Sequence, residues 1–107
     1  MSGAEIVYEV NVELDEGQRE LFWEWLPGHA DELLALDGFV SATGWAVESD
    51  DNDGRARFCV HYRLTSREAL EVYFREHAER LRGDGVVTFG DSLRATRRVM
   101  AQRLHRG

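Results

Sequence analysis

Two histidines, His29 and His77, have the residue type and the spacing to act in acid–base chemistry. Each falls on the apolar stripe of a predicted helix, where residues recur at three- and four-residue intervals. The spacing therefore predicts that both imidazoles point inward, and a buried imidazole must find a hydrogen-bond partner or change its pKa. The two stripes are Phe22, Trp25, Leu26, His29, Leu33, Leu36 and Leu70, Tyr73, Phe74, His77, Ala78, Leu81.

If both helices pack on one face of a sheet, the two imidazoles reach a shared cleft. Tyr8, on the first strand, and Tyr73, beside His77 on its helix, would line the same cleft. A ligand pocket there would use His29 or His77 as proton acceptor or as hydrogen-bonding group. The alternative is that both are core histidines, bonded to backbone carbonyls or to tyrosines.

A second group of polar residues alternates along three strands. Asn11 stands on the first strand between Glu9 and Glu13, His61 on the third, and Arg98 on the last. We expect these side chains on one sheet face, where they predict a polar cavity for a small anionic or aromatic compound. The alternative is a face of cross-strand ion pairs, each worth roughly 0.2–1 kcal/mol.

Other chemistry has little support in the residue pattern. The histidines at 29, 61, 77 and 105 lack the i, i+3 or i, i+4 spacing of a metal-binding pair, and there is no HExxH motif. The chain contains no lysine and no phosphate-binding glycine loop. Cys59 and His61 lie two residues apart on one strand, about 6.5–7 Å, which is too far for a nucleophile and its base. We expect no metal and no cofactor.

The elements that would position these residues alternate along the chain. Strands are predicted over 5–14, 39–48, 56–64 and 92–100, the middle two joined by an acidic turn over 50–54. A first helix is predicted from an Asp15–Gln18 cap to Leu36, interrupted near Pro27, with Trp23 on its outer side. A second is predicted from a capping box over Thr65-Ser66-Arg67-Glu68 to Leu81, ended by the loop 83–85.

This order predicts an α+β domain of ferredoxin-like βαββαβ type: a four-stranded antiparallel sheet with two helices on one face. One such domain accounts for residues 1–107, with a core over 5–100 and a mobile C-terminal tail over 101–107. The second sheet face has no helix to cover it and mixes apolar with charged residues. An uncovered face of this kind predicts a homodimer.

Composition narrows the class of protein. The 107 residues carry a net charge of −7, which argues against nucleic-acid binding. Twelve of the thirteen arginines lie in residues 54–107, where a local anion patch is one interpretation and neutralisation of the acidic first half is the other. No apolar run is long enough for a membrane span, and we see no secretory signal. A single cysteine, Cys59, favours a reducing cytoplasmic setting.

Several short segments resemble a bacterial family known only as a domain of unknown function, over residues 5–100. The resemblance implies a ferredoxin-like fold similar to the dimeric α/β-barrel superfamily, in which two sheets pack face to face. That superfamily includes cofactor-free monooxygenases, lactone isomerases, haem enzymes and non-catalytic ligand-binding proteins, so it implies no one activity. The segments are Tyr8–Val10, Trp25–His29, Gly38–Phe39, Tyr62, Tyr73–His77 and, most specific, Arg80–Val99.

Three functions follow from these patterns. The first is a homodimeric domain that binds a small ligand through the residues named above, with a pocket beside His29, His77, Tyr8 and Tyr73. The second is a cofactor-independent enzyme of the monooxygenase or isomerase kind, in which His77 or His29 accepts the proton. The third is a structural dimer module that binds a protein partner. The sequence does not decide whether the protein is an enzyme.

Overall fold

The computed structural model describes residues 5–107. In chain order the elements are β1 (Ile6–Asp15), α1 (Arg19–Leu34), β2 (Phe39–Val47), β3 (Arg55–Leu64), α2 (Arg67–Glu76), α3 (Ala78–Phe89) and β4 (Arg94–Ala101). Short 3₁₀ turns precede α1 and β4. None of these helices is both long and apolar enough to cross a membrane.

The four strands form one antiparallel sheet in the order β2-β3-β1-β4, which confirms the predicted ferredoxin-like topology. Tyr8 pairs with Tyr62 on β3 and with Val99 on β4, so these three side chains share a face. That face carries the buried strand residues and packs under the helices. The opposite face has no helix over it. We call it the open face; it carries Glu9, His61 and their neighbours in register.

The core is aromatic where α1 crosses the sheet. Phe22 stacks on Phe58 with ring centroids 4.1 Å apart, and Trp23 meets Phe58 edge-on. The prediction that Trp23 lies on the outer side of its helix is wrong, because Gly44 on β2 makes room for it. A Cβ at Gly44 would approach both the Trp23 ring and Leu26 to 3.1 Å. The absent side chain therefore lets α1 lie close on the sheet.

Helix α1 is continuous through Pro27, so the predicted interruption does not occur. Proline removes the hydrogen bond to the carbonyl of Trp23 and costs about 3 kcal/mol in a helix interior. Burial of apolar side chains before and after Pro27 offsets this cost. These side chains form one continuous buried stripe: Phe22, Leu26, Ala30 and Leu33. The predicted cap is also wrong, since the Asp15 carboxylate accepts from Arg55 Nη1 (2.7 Å) and makes no cap bond.

The second predicted helix is two helices that meet at His77. Its start lies one residue later than the predicted box from Thr65 to Glu68, because Ser66 is the N-cap and its Oγ accepts from the backbone N–H of Ala69 at 3.2 Å. At His77 the backbone leaves the helical region (φ −130°), and α3 begins with a new phase. The predicted loop 83–85 is helical, because Gly85 lies on the buried stripe of α3 and the Trp25 ring packs 3.7 Å from where a Cβ would stand. Gly90, with φ +65°, follows the end of α3.

Candidate functional site

A narrow cavity of about 50 Å³ lies between the helices and the sheet. We call it the cleft. Its walls are apolar, partly aromatic and partly aliphatic, and three basic side chains, His29, Arg82 and Arg97, interrupt them. The aromatic walls come from α1, α2, α3 and the two central strands, so packing of the core fixes their positions. These wall residues are Tyr8, Phe22, Trp25, Tyr62, Tyr73 and Phe89.

Tyr8 and Tyr73 lie together in the cleft, as predicted. Their ring centroids are 5.5 Å apart, and the hydroxyl of Tyr8 accepts a hydrogen bond from Arg82 Nη2 at 3.2 Å. Arg82 also stands over the Phe74 ring, 5.8 Å from its centroid. Burial raises the pKa of Tyr73 well above its usual value, so this hydroxyl stays neutral.

His29 lines the cleft from α1, with its ring stacked on Trp25 at a centroid distance of 4.3 Å. Its Nδ1 is buried and has no hydrogen-bond partner within residues 5–107. Burial is the main cause that lowers the pKa of His29; the charge of Asp84 raises it and that of Arg97 lowers it further. The imidazole is therefore neutral at pH 7.

His77 does not join His29, so the prediction of a shared cleft is wrong. The ring is half-buried and lines a separate hollow of about 370 Å³ with Asp37 and Glu76. The change of helix phase at His77 is the reason, because it moves this residue off the stripe that α3 buries. Tyr73 lines both hollows and separates the two histidines.

The predicted polar residues of the open face do come together, and Glu9 is at their centre. The Glu9 carboxylate accepts from Asn11 Nδ2 at 2.9 Å, lies 2.8 Å from His61 Nε2 and accepts from Arg98 Nε. The Arg98 hydrogen bond is the main cause that lowers the pKa of Glu9 to about 2, from a usual value of 4.5. Although no helix covers this face, Glu9 is only 5% exposed.

The buried carboxylate of Glu9 is therefore the hydrogen-bond partner of Asn11, His61 and Arg98. Cys59 lies beside this cluster, and burial raises the pKa of its thiol, with the charge of Glu9 as the next cause. A protonated thiol is a poor nucleophile. The donor atoms of Cys59 and His61 lie within 4.8 Å of each other, closer than the 6.5–7 Å expected from strand spacing. The open face is thus arranged as a network of ion pairs more than as an empty binding site.

The sequence reasoning missed Arg82 and Arg97 as members of the cleft. Neither forms an ion pair with a carboxylate in the part of the chain that the structure describes, whereas most arginines of the open face do. A signal existed for Arg97, which alternates in register with Ala95 and Val99 on the helix-side face of β4. An arginine at a core-facing position was the clue. Arg82 carried no such signal.

Residues 5–103 match the model of a family described as a domain of unknown function, DUF4286. No curated protein sequence matches the chain. The match covers nearly the whole chain and confirms the family resemblance inferred from the short segments.

Solved structures that are similar to this chain share its fold at low identity. A candidate antibiotic biosynthesis monooxygenase from Bacillus cereus has a TM-score of 0.72 at 17% identity, covering 98% of this chain and 99% of that one. A dimeric ferredoxin-like protein from an uncultured marine organism has 0.72 at 11%, covering 95% and 98%. SnoaB, a cofactor-independent oxygenase from Streptomyces nogalater, has 0.69 at 15%, covering 94% and 95%. Such identities establish the ferredoxin-like fold and no activity.

Proposed function

The chain belongs to the DUF4286 family of domains of unknown function, and on this premise we propose that it is a homodimer that binds a small aromatic anion in the cleft. One observation carries the proposal. The cleft combines aromatic walls with two arginines, Arg82 and Arg97, that have no carboxylate partner among the described residues. A flat ring with an acidic substituent satisfies both features at once.

The chemistry of the walls selects the ligand class. Tyr8, Tyr73 and Trp25 offer ring faces against which a flat ring gains contact area and favourable offset or edge-on packing. Arg82 and Arg97 offer planar guanidinium groups, which match a carboxylate. The cavity of about 50 Å³ holds only a few water molecules, so binding requires side chains at the rim to turn outward.

The open face is the surface that we propose to pair two copies. Trp45 is 53% exposed there and Val47 is exposed beside it, so the face carries apolar area that a partner would bury. Its charges are already paired within the chain: Glu9 with Arg98, and Glu13 with Arg57. A face that neutralises its own charges can meet its copy without repulsion. One similar structure is described as dimeric, which supports this pairing.

The two other functions lack an equivalent observation. For an enzyme in which His77 or His29 accepts the proton, the two rings line different hollows, so one bound molecule would not meet both. A module that binds only a protein partner would not need Arg82 and Arg97, which are exposed at the cleft and have no carboxylate partner among the described residues. The cytoplasmic setting stays a prediction from the single free thiol of Cys59.

A titration with 2-naphthoate, a flat aromatic carboxylate, tests the cleft. Trp25 lines the cleft, so its fluorescence should be quenched as the ligand binds. Arg82→Gln should weaken binding roughly 10- to 100-fold, the range expected for one charge-assisted hydrogen bond. Arg75→Gln on α2 is the matched control, because Arg75 is exposed outside the cleft and should leave affinity unchanged. Equal affinity in wild type and Arg82→Gln, or no binding at millimolar ligand, would contradict the proposal.

A further inference from the structure

We propose that His29, Glu32 and Asp84 bind one divalent transition-metal ion on the outer side of α1 and α3. One donor atom from each residue lies within 4.8 Å of the donors of the other two. Neighbouring ligands of a tetrahedral or octahedral ion stand roughly 3–3.4 Å apart, so side-chain rotations would bring the three donors closer together onto a single ion. The site shares His29 with the proposed ligand cleft, but its other two donors, Glu32 and Asp84, lie outside that cleft.

Two packed helices hold the three donors. His29 and Glu32 are three residues apart on α1, which places them on the same side of the helix. Asp84 approaches from α3 because that helix continues through a segment where the sequence predicts a loop. Ligands carried by helices keep their geometry better than ligands on loops. The spacing of the histidines does not reveal this site, because its other two donors are carboxylates and Asp84 lies 52 positions after Glu32.

The donor set indicates the class of metal. One imidazole and two carboxylates suit manganese, iron, cobalt or zinc, since imidazole favours the transition metals and carboxylates accept the harder ions among them. The two carboxylates balance the charge of a divalent ion. The remaining coordination positions would face an open hollow of about 470 Å³ that these three residues line with Trp25.

His29 supplies a second, independent observation. Its Nδ1 is buried without a hydrogen-bond partner in residues 5–107, which is unusual for a buried ring nitrogen. An imidazole that ligates through one nitrogen needs its ring held in place, and the stacked Trp25 ring does so at 4.3 Å.

The nearby positive charge of Arg80 competes only weakly with a metal ion for the carboxylate of Glu32. Arg80 Nη1 lies 3.8 Å from Glu32, but both side chains are about half exposed, and exposed pairs contribute little. The other donor cluster, formed by Glu9, Cys59 and His61, is less favourable. There Arg98 already occupies the carboxylate, so a metal ion would stand next to a guanidinium.

Cobalt(II) is the probe that tests this site. Protein without an affinity tag, freed of metal by a chelator, is titrated with Co²⁺ and followed by absorption and calorimetry. We expect one ion per chain, with weak visible bands and no intense near-ultraviolet band from a thiolate. Glu32→Gln and Asp84→Asn should each weaken binding at least about tenfold. Glu24→Gln, an exposed acid on the same helix, is the matched control and should bind as the wild type does.

Two results would overturn the proposed metal site. Absence of binding, or affinity undiminished in both Glu32→Gln and Asp84→Asn, excludes the site. A thiolate band that disappears in Cys59→Ser assigns the ion to the Glu9 cluster instead. Arg82→Gln should leave the affinity for cobalt unchanged while it weakens the binding of 2-naphthoate. The two proposals can therefore be refuted separately.

Discussion

The cleft and the open face both place polar groups among apolar ones, but they treat those groups in opposite ways. On the open face Asn11, His61 and Arg98 each place one nitrogen against the Glu9 carboxylate, which is 5% exposed. In the cleft the buried Nδ1 of His29 has no hydrogen-bond partner, and the exposed Arg97 has no carboxylate partner, among the described residues. Paired polar groups define a surface that can be covered, whereas unpaired ones mark a place where a ligand improves the balance.

The proposed ligand binding and the proposed pairing of two copies therefore fall on opposite sides of one sheet. Alternate residues of β1 point to opposite sides, so Tyr8 serves the cleft and Glu9 the open face. A substitution on one side should therefore affect one task and leave the other intact. The predictions below use that separation, starting with the largest expected effect.

Phe22→Ala should lower the free energy of unfolding by about 3–5 kcal/mol, because the cleft wall is also the core. Phe22 is 1% exposed and stacks on Phe58 at 4.1 Å. Chemical denaturation measures the effect. Leu21→Ala, on the exposed side of the same helix, should cost well under half as much. Similar losses in the two variants would mean that α1 is not packed as described.

Trp45→Arg should weaken the dimer by roughly 2 kcal/mol or more, since a buried tryptophan is a common energetic centre of interfaces. Sedimentation velocity over a range of protein concentrations measures the dissociation constant. Val87→Arg is the control, because Val87 is 87% exposed on α3, on the helix side of the sheet. If Val87→Arg dissociates the dimer and Trp45→Arg does not, the interface lies on the helices.

Glu9→Gln should cost about 2 kcal/mol of stability at neutral pH. The pKa of Glu9 is lowered by folding to about 2 from 4.5, so its contribution is complete above pH 4.5 and is lost as the pH falls toward 2. Urea denaturation of wild type and variant at pH 7 and pH 2.5 should show the difference shrinking with acid. Glu20→Gln, an exposed acid on α1, should show no such pH dependence. A constant difference would refute the ion-pair account of Glu9.

The topology was readable from the sequence, because alternation over 5–14, 56–64 and 92–100 specifies strands and one buried face. The start of α2 was readable to within one residue from the local box over Thr65-Ser66-Arg67-Glu68, although the cap is Ser66. The loop expected at 83–85 was wrong because tertiary packing of Gly85 against Trp25 outweighs the low helix propensity of glycine. Pro27 stays helical for a similar reason, since buried neighbours compensate for the lost hydrogen bond.

The candidate site was only half predictable. Tyr8, His29 and Tyr73 meet in the cleft because each occupies a core-facing position of a regular element. The predicted position of His77 in the cleft was wrong because the helix breaks at this residue, which changes the side of the helix that faces the core. No residue type in that stretch signals such a break. The Asp84 carboxylate near His29 depends on how α1 and α3 pack, a contact between distant segments that no local pattern encodes.

The three tryptophans allow the separation of tasks to be measured directly. Trp25 lines the cleft, Trp45 stands on the open face, and Trp23 packs edge-on against the stacked rings of Phe22 and Phe58. In ¹⁵N-labelled protein each gives one indole N–H signal, assigned by single Trp→Phe variants. Titration with 2-naphthoate should move the Trp25 signal and leave Trp45 in place, and dilution should move Trp45 and leave Trp25 in place. A ligand that shifts Trp45 alone would contradict the assignment of binding to the cleft and of pairing to the open face.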